Sequence, residues 1–152
     1  MITRTVRRSA KHHSGFTLIE LMIAVVVLAI IVGIAVPSYQ AQILKSRRTD
    51  ARNALLDIAA REERYLSVAN SYSAVSTDVG YSGAWPQTLI NGYYTVTVAA
   101  PPAAVPQFQV TATPVGAQAA DTACAIFQVD QIGQQRAWDS GGIRNDALCW
   151  GN

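Results

Sequence analysis

The chain has 152 residues, of which 50% are hydrophobic and 14% are charged, and its formal net charge is +2. This length predicts one small domain, and the weak positive charge excludes a nucleic-acid-binding function driven by overall charge alone. The only two histidines, His12 and His13, lie near the N-terminus. Without that segment no histidine remains for a Ser-His-Asp, Cys-His or histidine metal site. We therefore predict that the protein is not an enzyme and has no cofactor or metal.

An apolar segment of 21 residues extends from Phe16 to Val36 and contains one charge, Glu20. As an α-helix it would measure roughly 30 Å, the thickness of a bilayer hydrocarbon core. It is longer than the core of a secretory signal, roughly 7 to 15 residues, and no Ala-x-Ala cleavage site follows it. The residues before it include four bases and no acid: Arg4, Arg7, Arg8 and Lys11. The positive-inside rule then predicts a cytoplasmic N-terminus, one membrane span and a main body outside the cytoplasm.

A contiguous motif, Ser14-Gly15-Phe16-Thr17-Leu18-Ile19-Glu20-Leu21-Met22, marks the start of this apolar segment. It resembles the processing signature of type IV prepilins. The resemblance implies that a prepilin peptidase cleaves after Gly15 and methylates the new N-terminal residue, Phe16. It also implies a cleaved leader at 1–15 and a half-helix for membrane spanning and assembly at 16–37.

Glu20 is a carboxylate in an apolar segment, where a charge costs roughly 2.5 to 3.5 kcal/mol near the bilayer centre and less near an end. Cleavage after Gly15 would create an α-amino group on Phe16, four residues away, as one partner for it. From the residues alone, two other interpretations stay open. The Glu20 side chain could simply extend to the membrane interface, or its carboxyl group could be protonated. In type IV pilins this glutamate attracts the N-terminal amine of a neighbouring subunit, so the resemblance implies an assembly role.

Gly33 and Pro37 weaken the helix at the end of the apolar segment. Proline removes one backbone hydrogen bond, and glycine costs about 1 kcal/mol relative to alanine. Two interpretations stay open. The two residues could form a passive kink, which transmembrane helices tolerate. The resemblance implies instead a point where the filament extends, because this segment loses helical order in some assembled pili.

Residues 38–70 become polar but keep helix formers, and no glycine or proline occurs between Pro37 and Gly80. One helix is therefore predicted from Phe16 to about Asn70, with an amphipathic second half. Its apolar stripe has three- and four-residue spacing: Leu44, Ala51, Leu55, Ile58 and Tyr65. Basic residues interspersed with Asp50 and Asp57 predict a solvated face with local ion pairs: Lys45, Arg47, Arg48 and Arg52.

The remaining residues, 71–152, predict an extracytoplasmic β domain. A loop is expected at 70–91, with three aromatic residues packed on the helix: Tyr72, Tyr81 and Trp85. Four strands are predicted from β-branched, aromatic or alternating residues: 93–98, 107–113, 125–129 and about 135–138. A four-stranded antiparallel meander on the second half of the helix buries both apolar faces. The fold class is α+β, and the resemblance implies the pilin fold.

Cys124 and Cys149 are the only cysteines, in a part of the chain predicted to be exported, so a disulfide is expected between them. Their spacing excludes a CxxC redox pair, and two thiols alone do not make a zinc site. Trp150 follows Cys149, and this ending resembles the disulfide-bounded C-terminal region of type IV pilins. Asp130, Asp139 and Asp146 do not match a calcium-binding loop, so we expect them in turns.

The resemblance identifies the chain as a type IV pilin, most like a minor one of the type IVa class. It implies a structural subunit that stays in the inner membrane after leader cleavage. The subunit would then enter surface filaments for pilus biogenesis, twitching motility or adhesion. The implied partners are the prepilin peptidase, other pilin subunits, the inner-membrane assembly platform and the lipid bilayer.

Two alternatives remain. A pseudopilin of a type II secretion system would share the segment from Gly15 to Pro37, although the disulfide-bounded C-terminus argues against it. A DNA-receptor pilin for natural transformation would need a basic surface with accessible aromatic side chains. Only Arg136, Arg144 and Trp138 could supply one in the β domain, where two bases stand against five acids, so we expect no nucleic-acid partner.

Overall fold

The computed structural model describes residues 15–101 and 105–151. It has two compact units, the first ending at Tyr39 and the second beginning at Gln40. The predicted leader lies outside the described residues except for Gly15. Part of the proline-rich connection predicted between the first two strands, residues 102–104, is also outside them.

One α-helix, α1, extends over Leu18–Ala69 and contains Pro37. The predicted helix from Phe16 to about Asn70 is thus confirmed to within two residues at the start and one at the end. Asn70 follows with a left-handed φ of 59°, a conformation that commonly ends helices.

The described part of the first unit, residues 15–39, is exposed throughout. Its large apolar side chains range from 47% exposed at Val32 to 84% at Phe16. Among the described residues, α1 is the one helix that is long and apolar enough to cross a membrane. The apolar half of α1 therefore has the length and composition of a membrane anchor.

The second unit contains an antiparallel sheet whose five described strands follow one another in chain order. They are β1 (Gln87–Thr88), β2 (Tyr94–Ala99), β3 (Gln109–Pro114), β4 (Ile126–Asp130) and β5 (Gln135–Trp138). The predicted antiparallel meander is confirmed, but the predicted number of four strands is wrong. The additional strand β1 lies in the predicted loop and pairs with Thr95 and Val96. A strand of only two residues is too short to show the alternating sequence pattern by which strands are predicted.

The core of the second unit forms where α1 packs on one face of the sheet. Ala51, Leu55 and Ile58 of the predicted stripe are fully buried, whereas Leu44 and Tyr65 at its ends are half-buried. The sheet contributes the alternate residues of its inner face: Tyr94, Val96, Val98, Val110, Ala112, Phe127, Val129 and Ala137. Both predicted apolar faces are therefore buried against each other.

Of the four basic residues predicted to form a solvated face at the start of this half of α1, Lys45 is exposed, but Arg47, Arg48 and Arg52 are partly or fully buried. Arg48 is 7% exposed, and its guanidinium donates to both carboxylate oxygens of Asp121, at 2.7 and 2.8 Å. Arg47 lies over the ring of Tyr93, with 4.0 Å from guanidinium carbon to ring centroid. The expectation of local pairs is wrong for Arg48 because its partner is 73 residues away in the chain.

A buried amide extends this polar cluster. Gln118 belongs to a 3₁₀ turn, Gly116–Ala120, and is fully buried. Its Nε2 lies 3.1 Å from the Leu44 carbonyl oxygen, 3.0 Å from Tyr94 Oη and 3.2 Å from Asp121 Oδ2. Burial raises the pKa of Tyr94 to about 12, so its hydroxyl stays neutral. The cluster links α1, β2 and the 3₁₀ turn by directional contacts inside the core.

Aromatic residues hold the segment after α1 against the helix, as predicted. Tyr72 donates a hydrogen bond to Glu63 at 2.8 Å, and Tyr81 donates one to Asp57 at 2.8 Å. Trp85 packs on Tyr81, with ring centroids 5.3 Å apart. The segment also contains a 3₁₀ turn, Ser76–Val79, which the sequence analysis did not predict.

The C-terminal segment covers the outer edge of β5. Cys124 and Cys149 form the predicted disulfide, and a short helix, α2, extends over Asp146–Trp150. The backbone N–H of Ala137 in β5 donates to Asp146 Oδ1 at 2.7 Å, and the Ala137 carbonyl accepts from the N–H of Asn145 at 2.8 Å. Trp150 adds a hydrogen bond from its indole N–H to the carbonyl of Arg136 at 2.9 Å.

The turns at the two ends of β5 use aspartate side chains. Asp130 Oδ1 accepts backbone N–H groups of Ile132 and Gln134, at 3.1 and 2.9 Å. Asp139 Oδ1 accepts those of Gly141 and Ile143, at 2.9 and 2.8 Å. The prediction of turns is confirmed for Asp130 and Asp139, whereas Asp146 is the first residue of α2.

Candidate processing and assembly site

The bond predicted to be cleaved lies directly before α1. Residues 15–17 are exposed and precede the first helical residue, Leu18. Apart from the adjacent residues, no described residue has a heavy atom within 4 Å of the place where a Cβ would stand on Gly15, and Phe16 is 84% exposed. A peptidase must reach the backbone on both sides of the bond it cuts. The Gly15–Phe16 bond therefore lies in an open, non-helical stretch.

Thr17 caps the start of α1, and the sequence analysis missed it. The backbone N–H of Glu20 donates to Thr17 Oγ1 at 3.3 Å, and that of Leu21 donates to the Thr17 carbonyl at 3.2 Å. A threonine three residues before a glutamate is the spacing of a capping box. That signal was present in the sequence and could have identified Thr17. The cap fixes the helix start two residues after the cleavage site.

Glu20 lies in the first turn of α1. The N-terminal end of a helix carries a partial positive charge, which favours a carboxylate there and disfavours a bare amine. Residues 15–39 contain no basic side chain, so Glu20 has no cationic side-chain partner in the described part of the first unit.

Gly33 and Pro37 lie inside α1, 13 and 17 residues beyond Glu20, or roughly 20 Å and 25 Å along the axis. Apart from the adjacent residues and the backbone of the helix itself, no described atom lies within 4 Å of the place where a Cβ would stand on Gly33. The structure therefore does not bring these residues to the processing site. Packing within the described residues does not require a glycine at this position.

The three residues considered for DNA contact have partners of their own. Arg136 forms an ion pair with Asp130 at 3.0 Å, and Arg144 forms one with Asp146 at 2.6 Å. Trp138 is half-buried in β5. Each arginine thus has a carboxylate beside it, which reduces the positive field that a phosphate would meet.

A buried carboxyl group, Glu62, was also missed by the sequence analysis. It is fully buried, its Oε2 accepts the backbone N–H of Ser73 at 3.1 Å, and its Oε1 has no hydrogen-bond partner within the described residues. Burial raises the pKa of this carboxyl above its ordinary value. Glu62 follows Ile58 by four residues, so the continued stripe spacing could have found it. The group holds the chain after α1 onto the helix.

An exposed apolar half-helix that begins at an open Gly-Phe bond is thus joined to a half-helix packed on an antiparallel sheet with a C-terminal disulfide. These features define the class of type IV pilins. Residues 10–36 match the family described as the prokaryotic N-terminal methylation motif. Residues 37–128, more than half of the chain, match the family described as type IV minor pilin ComP, DNA uptake sequence receptor. The chain belongs to this family of minor type IV pilins, as the sequence analysis predicted for the class.

The chain is also similar to individual pilins. The type IV major pilin protein PilA of Myxococcus xanthus (strain DK1622) is 30% identical over 77 residues, which make up 51% of this chain. The match covers 35% of that protein, so the chain spans about a third of its curated relative. A solved structure of a type IV pilin from Shewanella oneidensis aligns with a TM-score of 0.45 and 25% identity, covering 60% of this chain and 89% of that one.

Proposed function

We propose that this minor pilin is a structural subunit that waits in the inner membrane and then enters a type IV pilus. The proposed segments are a cleaved leader at 1–15, an anchoring and assembly half-helix at 16–37, an amphipathic half-helix at 38–70 and an extracytoplasmic β domain at 71–152. The observation that carries the proposal is the open Gly15–Phe16 bond beside an exposed apolar half-helix with one charge. A prepilin peptidase and the pilus assembly platform of the inner membrane are the proposed partners.

The exposed apolar side chains of residues 18–36 explain why the subunit has two states. In the membrane, lipid tails surround these side chains. After extraction only other apolar surfaces can keep them from water, and the same half-helices of neighbouring subunits supply such surfaces. Burial of this face drives assembly without specifying a register, because hydrophobic contact is not directional.

The charge of Glu20 specifies the register that hydrophobic contact alone does not. Inside a filament its carboxylate lies in an apolar environment, where an unpaired charge is costly and an opposite charge close by is strongly favoured. The methylated amine of Phe16 on an incoming subunit is such a charge. Docking that pairs the two groups is favoured over docking one helical turn away, which leaves both unpaired.

Intact-mass analysis of protein extracted from membranes tests the processing step. The expected mass is that of residues 16–152 with one added methyl group on Phe16 and the disulfide intact. A Gly15→Leu variant, which blocks close approach to the backbone, should keep the mass of the full chain. A full-chain mass for the unaltered protein, or a cut beyond Val36, contradicts the proposal.

Replacement of Glu20 tests the assembly step. Glu20→Gln keeps the shape and the polar character but removes the charge, and Glu20→Ala removes both. Both variants should be processed and should remain in the membrane, yet be lost from sheared filaments. Thr17→Ala, which removes only the cap, is the matched control and should still enter filaments. Normal filament levels of either Glu20 variant would exclude the charge-pairing role.

DNA binding is a second candidate function, and the observation that favours it is the family match, whose description names a DNA uptake sequence receptor. The charges of this chain weigh against it. Residues 40–152 contain eight lysines and arginines and nine acidic residues. Four of those arginines form ion pairs: Arg48, Arg61, Arg136 and Arg144. Since affinity for DNA depends on free cations against phosphates, we expect weak binding or none.

A gel-shift titration of the full processed chain with duplex DNA separates the two candidates. A receptor should shift the duplex at about 50 mM salt and lose it by about 200 mM, because each phosphate contact releases counterions. The double variant Arg136→Ala with Arg144→Ala should then bind more weakly, and Arg61→Ala should not. We expect no shift. A salt-sensitive shift that this double variant abolishes would establish the receptor function instead.

A further inference from the structure

A cleft of about 730 Å³ lies between the second half of α1 and the segment around β1. Its lining includes Asp50 and Asn53 of the helix, together with Tyr81, Trp85, Ile90 and Asn91. Small-molecule sites in proteins commonly measure about 300 to 1,000 Å³. The cleft belongs to the second unit and shares no residue with the processing and assembly site.

One wall of the cleft is aromatic. The rings of Tyr81 and Trp85 are both half-buried, with centroids 5.3 Å apart and planes inclined by 46°. The indole Nε1 of Trp85 is shielded from solvent and has no hydrogen-bond partner within the described residues. Ring carbons are therefore what Trp85 offers to the cleft. Ile90 at the rim is fully exposed.

The lining also carries polar side chains that are free to bind. The side chains of Asp50, Asn53 and Asn91 form no hydrogen bond or ion pair with residues 15–101 or 105–151. A carboxylate accepts hydrogen bonds, and an amide both donates and accepts them. Together these groups can satisfy several hydroxyls of one ligand.

Charge narrows the class of ligand. No lysine or arginine lines the cleft among the described residues, so a phosphate polymer would find no counter-charge there. Asp50 is the one charged side chain among the described lining residues, and its carboxylate accepts hydrogen bonds from hydroxyls. A neutral ligand with an apolar face and several hydroxyls matches the rings and the polar groups of the cleft together.

We propose that this cleft binds a neutral sugar. A pyranose ring presents C–H groups on its face, which stack on Tyr81 and Trp85, and hydroxyls at its rim, which bond to Asp50, Asn53 and Asn91. The inference goes beyond the role of filament subunit and is independent of DNA binding. It gives an exposed subunit a site for uncharged carbohydrate on surfaces or in secreted polymers.

Saturation-transfer NMR on the full processed chain tests the proposal, with maltose, lactose and N,N′-diacetylchitobiose as probes. The detergent is lauryldimethylamine oxide, since a sugar-headed detergent would compete. At least one probe should receive saturation at its ring C–H protons, with no loss between low and moderate salt. Asp50→Ala and Asn91→Ala should each raise its Kd about tenfold, the effect of one lost charge-assisted or amide hydrogen bond. Trp138→Phe, outside the cleft, is the control and should leave the Kd unchanged.

Three results would overturn the proposal. The first is no transfer to any of the probes. The second is a Kd that the Asp50 and Asn91 variants leave unchanged while their thermal unfolding matches the parent. The third would be evidence that a neighbouring subunit, and not a sugar, occupies the cleft. To test this, a cysteine is introduced by Asn53→Cys, and we expect it to react with a maleimide in intact pili. Complete protection there, with full reaction in the extracted subunit, would show that a neighbouring subunit fills the cleft.

Discussion

The two halves of α1 share one continuous helix but depend on different partners. In residues 18–36 the side chains are exposed and the single charge has no basic partner among residues 15–39. In the second half Ala51, Leu55 and Ile58 are 0% exposed, and Arg48 has a buried partner of opposite charge. The second half is thus stabilised by the fold of its own chain, whereas the first needs lipid or other subunits. Substitutions of the same type in the two halves should therefore affect different measurements.

The largest effect is expected from Arg48→Ala. Removing one partner of a buried ion pair leaves the Asp121 carboxylate uncompensated, which costs about 3 to 5 kcal/mol of unfolding free energy. Urea unfolding of the processed chain in micelles, followed by tryptophan fluorescence, measures it. Arg64→Ala on an exposed position of the same half-helix should change stability by less than about 0.5 kcal/mol. Equal losses of unfolding free energy in the two variants would mean that the buried Arg48–Asp121 ion pair does not stabilise the fold.

A pair of identical substitutions compares the two halves directly. Leu55→Ala should cost about 3 kcal/mol, because it removes a fully buried side chain and leaves a cavity. Leu28→Ala changes a side chain that is 59% exposed in the subunit and should leave unfolding unchanged, while lowering the amount of subunit in sheared filaments. The distinction fails if Leu28→Ala destabilises the monomer as much as Leu55→Ala does.

Glu62→Gln should stabilise the second half by about 1 kcal/mol at neutral pH, because a buried charge with one unpartnered oxygen is removed. Burial raises the folded-state pKa of Glu62 above its ordinary value of 4.5, so the folded state binds this proton more tightly than the unfolded chain. The contribution to stability is then present below pH 4.5 and is lost as pH rises through the folded-state pKa. The variant should lack that pH dependence, and its advantage should vanish in acid. Glu63→Gln, on the exposed neighbour, is the control, and an advantage that is constant with pH would contradict the explanation.

The smallest effect on the monomer is expected from Gly33→Ala in the first half. Alanine favours the helix by about 1 kcal/mol, and no neighbour obstructs a Cβ at this position. Unfolding of the second unit should stay the same. If Gly33 is where filaments extend, pulling single pili should show a higher force at the onset of extension. An unchanged force curve would favour the passive kink.

Features that depend on local sequence were predicted. The long helix follows from the absence of glycine and proline between Pro37 and Gly80, and the buried stripe follows from the spacing of Ala51, Leu55 and Ile58. The processing motif is contiguous, so its residues could be named without a structure. The roles of those residues remain predictions until processing and assembly are measured.

Several features that depend on distant residues were not predicted. Arg48 and Asp121 are 73 residues apart, and no local pattern tells a pairing arginine from a solvated one. The two-residue strand β1 exists only because β2 offers it an edge. The burial of Glu62 could have been predicted, because its spacing places it on the apolar stripe. It was missed because glutamate is rarely found in a protein core.

The covered edge of β5 bears on whether one copy of the protein can pair with another through its sheet. An exposed edge strand offers free N–H and C=O groups on which a second chain can add a strand, and this is a common route to aggregation. The backbone groups of Ala137 and the carbonyl of Arg136 are instead bonded to Asn145, Asp146 and Trp150. The disulfide ties that covering segment to the start of β4. A second chain therefore cannot add a strand at this edge of the sheet without first displacing the C-terminal segment.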